Sequence, residues 1–202
     1  MTLVQDAMNA SVPGTAKQFL GSVQPKPVGQ MVMYVGLLGL LGVIGTVIGL
    51  SVVGVCWAWV CFKWPITSAL ISGIVGWIGM IIAIVGAGMV VSALSQGMVG
   101  RQVPNEEAVT LAGFAATPAL LAGILNIIPG VGGILVLVAA LYSAYLFFLG
   151  SGVRFGQDKA IVVTIIYIVF LIVISLIFGL IASSIYSPVV WGGPGWRGVM
   201  PY

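Results

Sequence analysis

The chain has no histidine, and only 11 of its 202 residues are charged, 7 Lys+Arg against 4 Asp+Glu. The missing histidine removes the commonest metal ligand, proton shuttle and general base together. The scarce charge excludes a water-soluble domain. Such domains carry roughly 25% charged and 45–50% apolar residues, whereas this chain has 5% and 60%. At a mean hydropathy of +1.22 it cannot cover its own surface with polar groups. Nucleic acid is excluded as a partner, because a net +3 spread along the chain makes no basic patch. Cysteine is scarce too, with only Cys56 and Cys61. Both fall in or at the end of an apolar stretch. Residues five apart on a helix point in different directions, so the expectation is two buried small hydrophobes, not a disulfide or a metal clip.

What remains is long apolar runs divided by charge. Residues 1–30 form a polar leader with Asp6, Lys17, Lys26 and Pro13, Pro25 and Pro27. No charge then occurs until Lys63, which precedes Trp64 and Pro65. Further charge-free runs span 64–100, 108–153 and 160–186. A membrane-spanning helix needs about 20 residues, so the 46 residues of 108–153 make two spans. Pro129-Gly130 supplies the turn between them. The pattern predicts an all-α integral membrane protein with five transmembrane helices, near 31–58, 66–95, 108–127, 132–152 and 160–185. The membrane domain is 31–186, and 187–202 is a Pro/Gly/Trp-rich C-terminal tail.

Lys and Arg in short loops set the orientation. With the N-terminus inside, Lys17, Lys26, Arg101, Arg154 and Lys159 are cytoplasmic, while Lys63 and Arg197 lie outside. Five against two predicts a cytoplasmic N-terminus and an external C-terminus. A cleaved signal peptide does not fit, because the first apolar run exceeds an h-region of roughly 7–15 residues. Val53-Gly54-Val55-Cys56 is a poor lipoprotein site, because Val55 is bulky just before the Cys.

Lipid gives helices no hydrophobic reason to associate, so small residues must let them approach closely. Glycine is abundant, at 29 residues. Gly36, Gly39, Gly42, Gly45 and Gly49 recur along the first helix, with Gly45 and Gly49 forming a GxxxG pair. Gly73, Gly76 and Gly79 recur along the second, followed by Ala83 and Ala87. These stripes serve packing within one bundle or receive a partner's helix. Thr117-Pro118 in mid-span predicts a kink, by packing or as a hinge. In the tail, Trp191, Trp196 and Tyr202 suit interfacial anchoring or docking on a partner.

The most distinctive block runs from Glu107 to Ala160. It includes Thr117-Pro118, the apolar Ile127-Ile128-Pro129 turn, Tyr142-Ser143-Ala144-Tyr145-Leu146 with Gly150, and Gln157-Asp158-Lys159-Ala160. It resembles the bacterial branch of the Yip1 domain family, whose five-helix membrane proteins show a Tyr/Thr-Pro step, an Ile-Pro turn, a Tyr-x-x-Tyr-Leu segment and a Pro-x-Asp-Lys-Ala loop. Phe155-Gly156-Gln157 stands where that family often has its proline. The resemblance covers roughly residues 20–185 and is specific over 107–160. It implies a five-span bundle with a cytoplasmic N-terminus in a prokaryotic cytoplasmic membrane, and no catalytic residue. Eukaryotic relatives work beside small GTPases through a longer N-terminal domain. The roughly 30 residues ahead of the first span here do not carry that role over.

Catalysis needs a positioned acid, base, nucleophile or metal. The predicted spans hold no Asp, Glu, Lys, Arg or His. Ion-coupled transport marks itself with such groups. Glu106, Glu107 and Asp158 suit the positive N-terminal ends of the helices they precede. The expectation is therefore not an enzyme and no cofactor beyond bound lipid. The predicted role is a non-catalytic scaffold or accessory subunit packing against other membrane proteins or copies of itself through its glycine stripes, leader and tail. The alternative is an oligomeric channel or carrier for small neutral or apolar molecules.

Overall fold

The computed structural model describes residues 5, 6, 9, 11–57, 60–100, 102–128 and 130–191. Proline starts the first element. With Pro13 in its first turn, α1 runs Pro13–Ser22 and gives way to an extended link at Val23. Then α2 spans Val28–Ile48 and widens into a π-helical turn at Gly49–Val53. Gly54, at φ 85°, turns the chain out of that helix, a backbone conformation glycine adopts without a Cβ penalty.

Here the structure departs from the predicted first helix. Val55–Trp57 do not continue it, and residue 58 lies outside the described residues. Val55–Trp57 (β1) and Val60–Phe62 (β2) form an antiparallel hairpin in which Cys56 stands opposite Cys61. The expectation of two cysteines diverging around one helix is therefore corrected: the backbone sets them face to face. The amide of Trp64 donates to the carbonyl oxygen of Leu50 at 3.1 Å and closes the base of the hairpin.

The second long helix, α3, spans Ile66–Val99. The third predicted span is broken in two. Asn105–Ala115 (α4) and Thr117–Ala122 (α5), which continues as a 3-10 turn over Gly123–Ile127, meet at a 42° bend. Pro118 lies in the first turn after the break. The freed amide of Ala119 donates to Ser143 Oγ at 3.2 Å, so a neighbouring helix supplies the lost acceptor. Gly130, at φ 84°, makes the turn into α6, Val131–Phe155, while Pro129 lies outside the described residues. The last helix, α7, spans Gln157–Trp191.

Four of these helices are long and apolar enough to cross a membrane, and the bent pair α4–α5 raises that to five if it counts as one span. The core gathers around α4, where Val109, Leu111, Ala112, Phe114 and Ala115 are fully buried beneath Met31 and Val35 of α2 and Leu146 and Phe147 of α6. The outward faces are equally apolar. Leu137, Val138 and Leu141 on α6 and Ile172, Leu176 and Leu180 on α7 are exposed. In water that surface would drive aggregation, and in lipid it is the natural solvent-facing side. The molecule is built as a multi-pass membrane protein.

Candidate functional site

Polar chemistry concentrates at one end of the bundle, where α1 and the links 23–27 and 102–104 meet the start of α4 and the end of α6. Its centre is Arg154, in the last turn of α6, with a side chain 7% exposed. Nε donates to the carbonyl oxygen of Leu20 at 2.8 Å, and a terminal nitrogen donates to that of Val23 at 2.5 Å. These carbonyls belong to the C-terminal end of α1, whose unpaired acceptors and negative dipole end a guanidinium suits. The other terminal nitrogen lies 3.5 Å from Glu107 in the first turn of α4, so the carboxylate also favours that helix's positive end.

A second ion pair stands alongside. Lys26 Nζ donates to Asp6 at 2.5 Å, over the Phe114 ring at 5.0 Å from its centroid. The Lys26 amide donates to Thr110 Oγ1 at 2.8 Å. Apolar contacts complete the attachment. Leu20 is fully buried, Phe19 meets Phe114 edge-on at 5.4 Å, and Tyr142 Oη donates to the Ser11 carbonyl at 3.1 Å. The leader is thus folded back onto its own bundle.

The loop after α3 is held similarly. Ser92 Oγ donates to the Val103 carbonyl at 2.6 Å, and the Val103 amide donates to Ser95 Oγ at 2.9 Å. Ser92 and Val103 line a hollow of about 350 Å³ with Gln102, Pro104 and Asn105. A second hollow, about 280 Å³, is apolar and lies between Val90 of α3 and Ile165, Val169 and Phe170 of α7. Among the described residues no cluster of three His, Cys, Asp or Glu side chains forms a metal site.

Of the eight glycines in the two predicted stripes, all but one meet this chain's own atoms among the described residues. Gly36 faces Trp77, whose indole N–H donates to the Gly36 carbonyl at 2.8 Å, and Gly39 faces Met80. Gly42 touches Gly123, Gly45 lies under the Gly123 carbonyl, and Gly49 lies under that of Asn126. Gly73 packs on Val43 and Gly79 on Phe178. Only Gly76 of these eight has open space where a Cβ would stand. Trp191 is the last residue of α7, and Trp196 and Tyr202 lie outside the described residues.

The Arg154 latch and the docked α1 were not anticipated from the sequence. The signal available was Pro13 at a helix start, followed by Phe19, Leu20 and Val23, an apolar patch of helical spacing within a polar segment. Comparison of the chain with protein-family models, curated proteins and solved structures finds no match.

Proposed function

We propose that the chain is a five-span protein of the Yip1 type, with its N-terminus in the cytoplasm of a prokaryotic cell and its C-terminus outside. In this reading it is a non-catalytic scaffold or accessory subunit that packs against other membrane proteins or copies of itself, binding lipid and no other cofactor. One observation carries the reading: the buried charged groups are spent on the chain's own leader. Arg154 is committed to Leu20, Val23 and Glu107, and Lys26 to Asp6 and Phe114. The apolar stretches 31–58, 66–95, 108–127, 132–152 and 160–185 hold no Asp, Glu, Lys, Arg or His that would drive ion movement. What the bundle offers outward is shape: apolar helix faces in which Gly76, Gly133 and Gly179 leave open space for close approach.

The test is gentle native extraction, followed by sizing and mass spectrometry of what accompanies the chain. Stoichiometric foreign subunits, or a defined homo-oligomer, are expected. A lone monomer in several mild detergents and in nanodiscs overturns the reading. A homo-oligomer that also passes neutral solutes in flux assays would favour the channel instead.

A further inference from the structure

We infer that Cys56 and Cys61 form an intramolecular disulfide that staples the hairpin between the first two spans. The observation is the register: Val55 pairs with Phe62, Cys56 with Cys61 and Trp57 with Val60. Directly opposed residues of an antiparallel pair have Cα atoms about 4.5 or 5.5 Å apart, depending on the kind of pair. Both values lie within the roughly 4.4–6.8 Å window that a disulfide needs. Opposed residues also present their Cβ atoms to the same face, because side chains alternate with period two. These are the chain's two cysteines, so no third thiol competes within the molecule.

The hairpin has reason to need a staple. Two strands of three residues are marginal by themselves in water. On one side of it lies Gly54, and on the other Lys63-Trp64-Pro65, with the Trp64–Leu50 hydrogen bond at its base. A cross-link between 56 and 61 removes unpaired alternatives from the loop and holds its register.

The inference rests on the proposed orientation, in which residues 54–65 face the outside, where disulfides form and persist. The oxidant is a disulfide-bearing thiol oxidoreductase. One cysteine thiolate attacks the oxidant's disulfide to give a mixed disulfide and release one oxidant thiol. The second cysteine thiolate then attacks the sulfur of the first, forming the new S–S bond and releasing the other thiol. Two cysteines lose two electrons in all, the oxidant's disulfide gains them, and two protons pass to its thiols.

The experiment uses the full chain in its native membrane. Cells are acid-quenched and dissolved in SDS, and thiols are counted by the gel shift of a polyethylene-glycol maleimide, with and without prior reduction. The expected result is no shift before reduction and a double shift after it, with no reducible dimer. Cys56→Ser is expected to take one label without reduction. Two labels before reduction, or a reducible dimer, overturns the intramolecular bond. A membrane-impermeant maleimide applied to intact cells beforehand separates the two possible failures. If it blocks free thiols, the hairpin faces outward and the disulfide alone is wrong. If only a permeant reagent blocks them, the orientation is wrong and the disulfide falls with it.

Discussion

Arg154 Nε donates to the carbonyl oxygen of Leu20 across a sequence separation of 134 residues, at 2.8 Å. With Val23 and Glu107 as its other partners, this one guanidinium joins α1, α4 and α6. Removing it takes a charge partner from the largely buried Glu107 and a donor from two carbonyls, a loss of about 2–4 kcal/mol for such a group. Arg154→Ala is therefore expected to release the leader. Limited proteolysis in detergent should cut between residues 11 and 27 at least tenfold faster than in wild type. Arg154→Lys should rescue only part of the protection, because an ammonium cannot reproduce the fork. Equal cleavage rates in all three forms would show that apolar contacts at Phe19 and Leu20 suffice.

Gly49 and Gly76 make a paired test of what the glycine stripes do. A Cβ at Gly49 would overlap the Asn126 carbonyl, whereas one at Gly76 meets nothing within 4 Å. Backbone cannot swing aside as a flexible side chain can, so Gly49→Ala is expected to cost about 1–3 kcal/mol by overpacking. Gly76→Ala should leave thermal unfolding in detergent unchanged, or raise it slightly through helix propensity. Gly76→Leu should likewise spare the isolated chain while weakening any association through that face, as read by co-purification. Destabilisation of both Ala variants alike would mean that exposed Gly76 is covered in the membrane form.

The spans were legible because the middle of each is a run without charge, and placing a charge in hydrocarbon is costly enough to make it rare there. The turn at Gly130 and the break before Pro118 were legible for a similarly local reason, since each residue dictates its own backbone. The hairpin was not. Val55-Cys56-Trp57 and Val60-Cys61-Phe62 are as apolar as the helix before them, and a short apolar run does not tell strand from helix. The latch was hidden for the opposite reason. Arg154 lies next to a loop and reads as a solvated charge until folding brings α1 to it, and no local pattern encodes a partner so far along the chain.

Tyr34 and Thr117 provide a third prediction. Their hydroxyls lie 2.7 Å apart, with the residues 3% and 0% exposed, joining α2 to the first residue after the bend. Each satisfies the other within the buried interior. Tyr34→Phe or Thr117→Val alone should cost about 1–3 kcal/mol, because one hydroxyl is left behind. The double variant should cost less than the sum, since no stranded group remains. Strict additivity in thermal unfolding would show that the two hydroxyls do not interact.

Tyr167 poses the reverse case. It is 1% exposed in α7, its ring stacks on Phe147 with centroids 3.9 Å apart and planes 7° from parallel, and its hydroxyl oxygen has no hydrogen-bond partner among the described residues. The ring contact contributes favourably through burial and stacking, while a buried hydroxyl without a partner costs about 1–3 kcal/mol. Phenylalanine keeps the first contribution and removes the second. Tyr167→Phe is therefore expected to raise the midpoint of thermal unfolding in detergent, by about 1 kcal/mol of stability. Tyr167→Leu, which loses the stack as well, should lower it. If Tyr167→Phe instead destabilises the protein, the hydroxyl has a partner in the membrane. Repeating the measurement after exhaustive delipidation would then identify that partner as lipid, if the difference between the two proteins disappears.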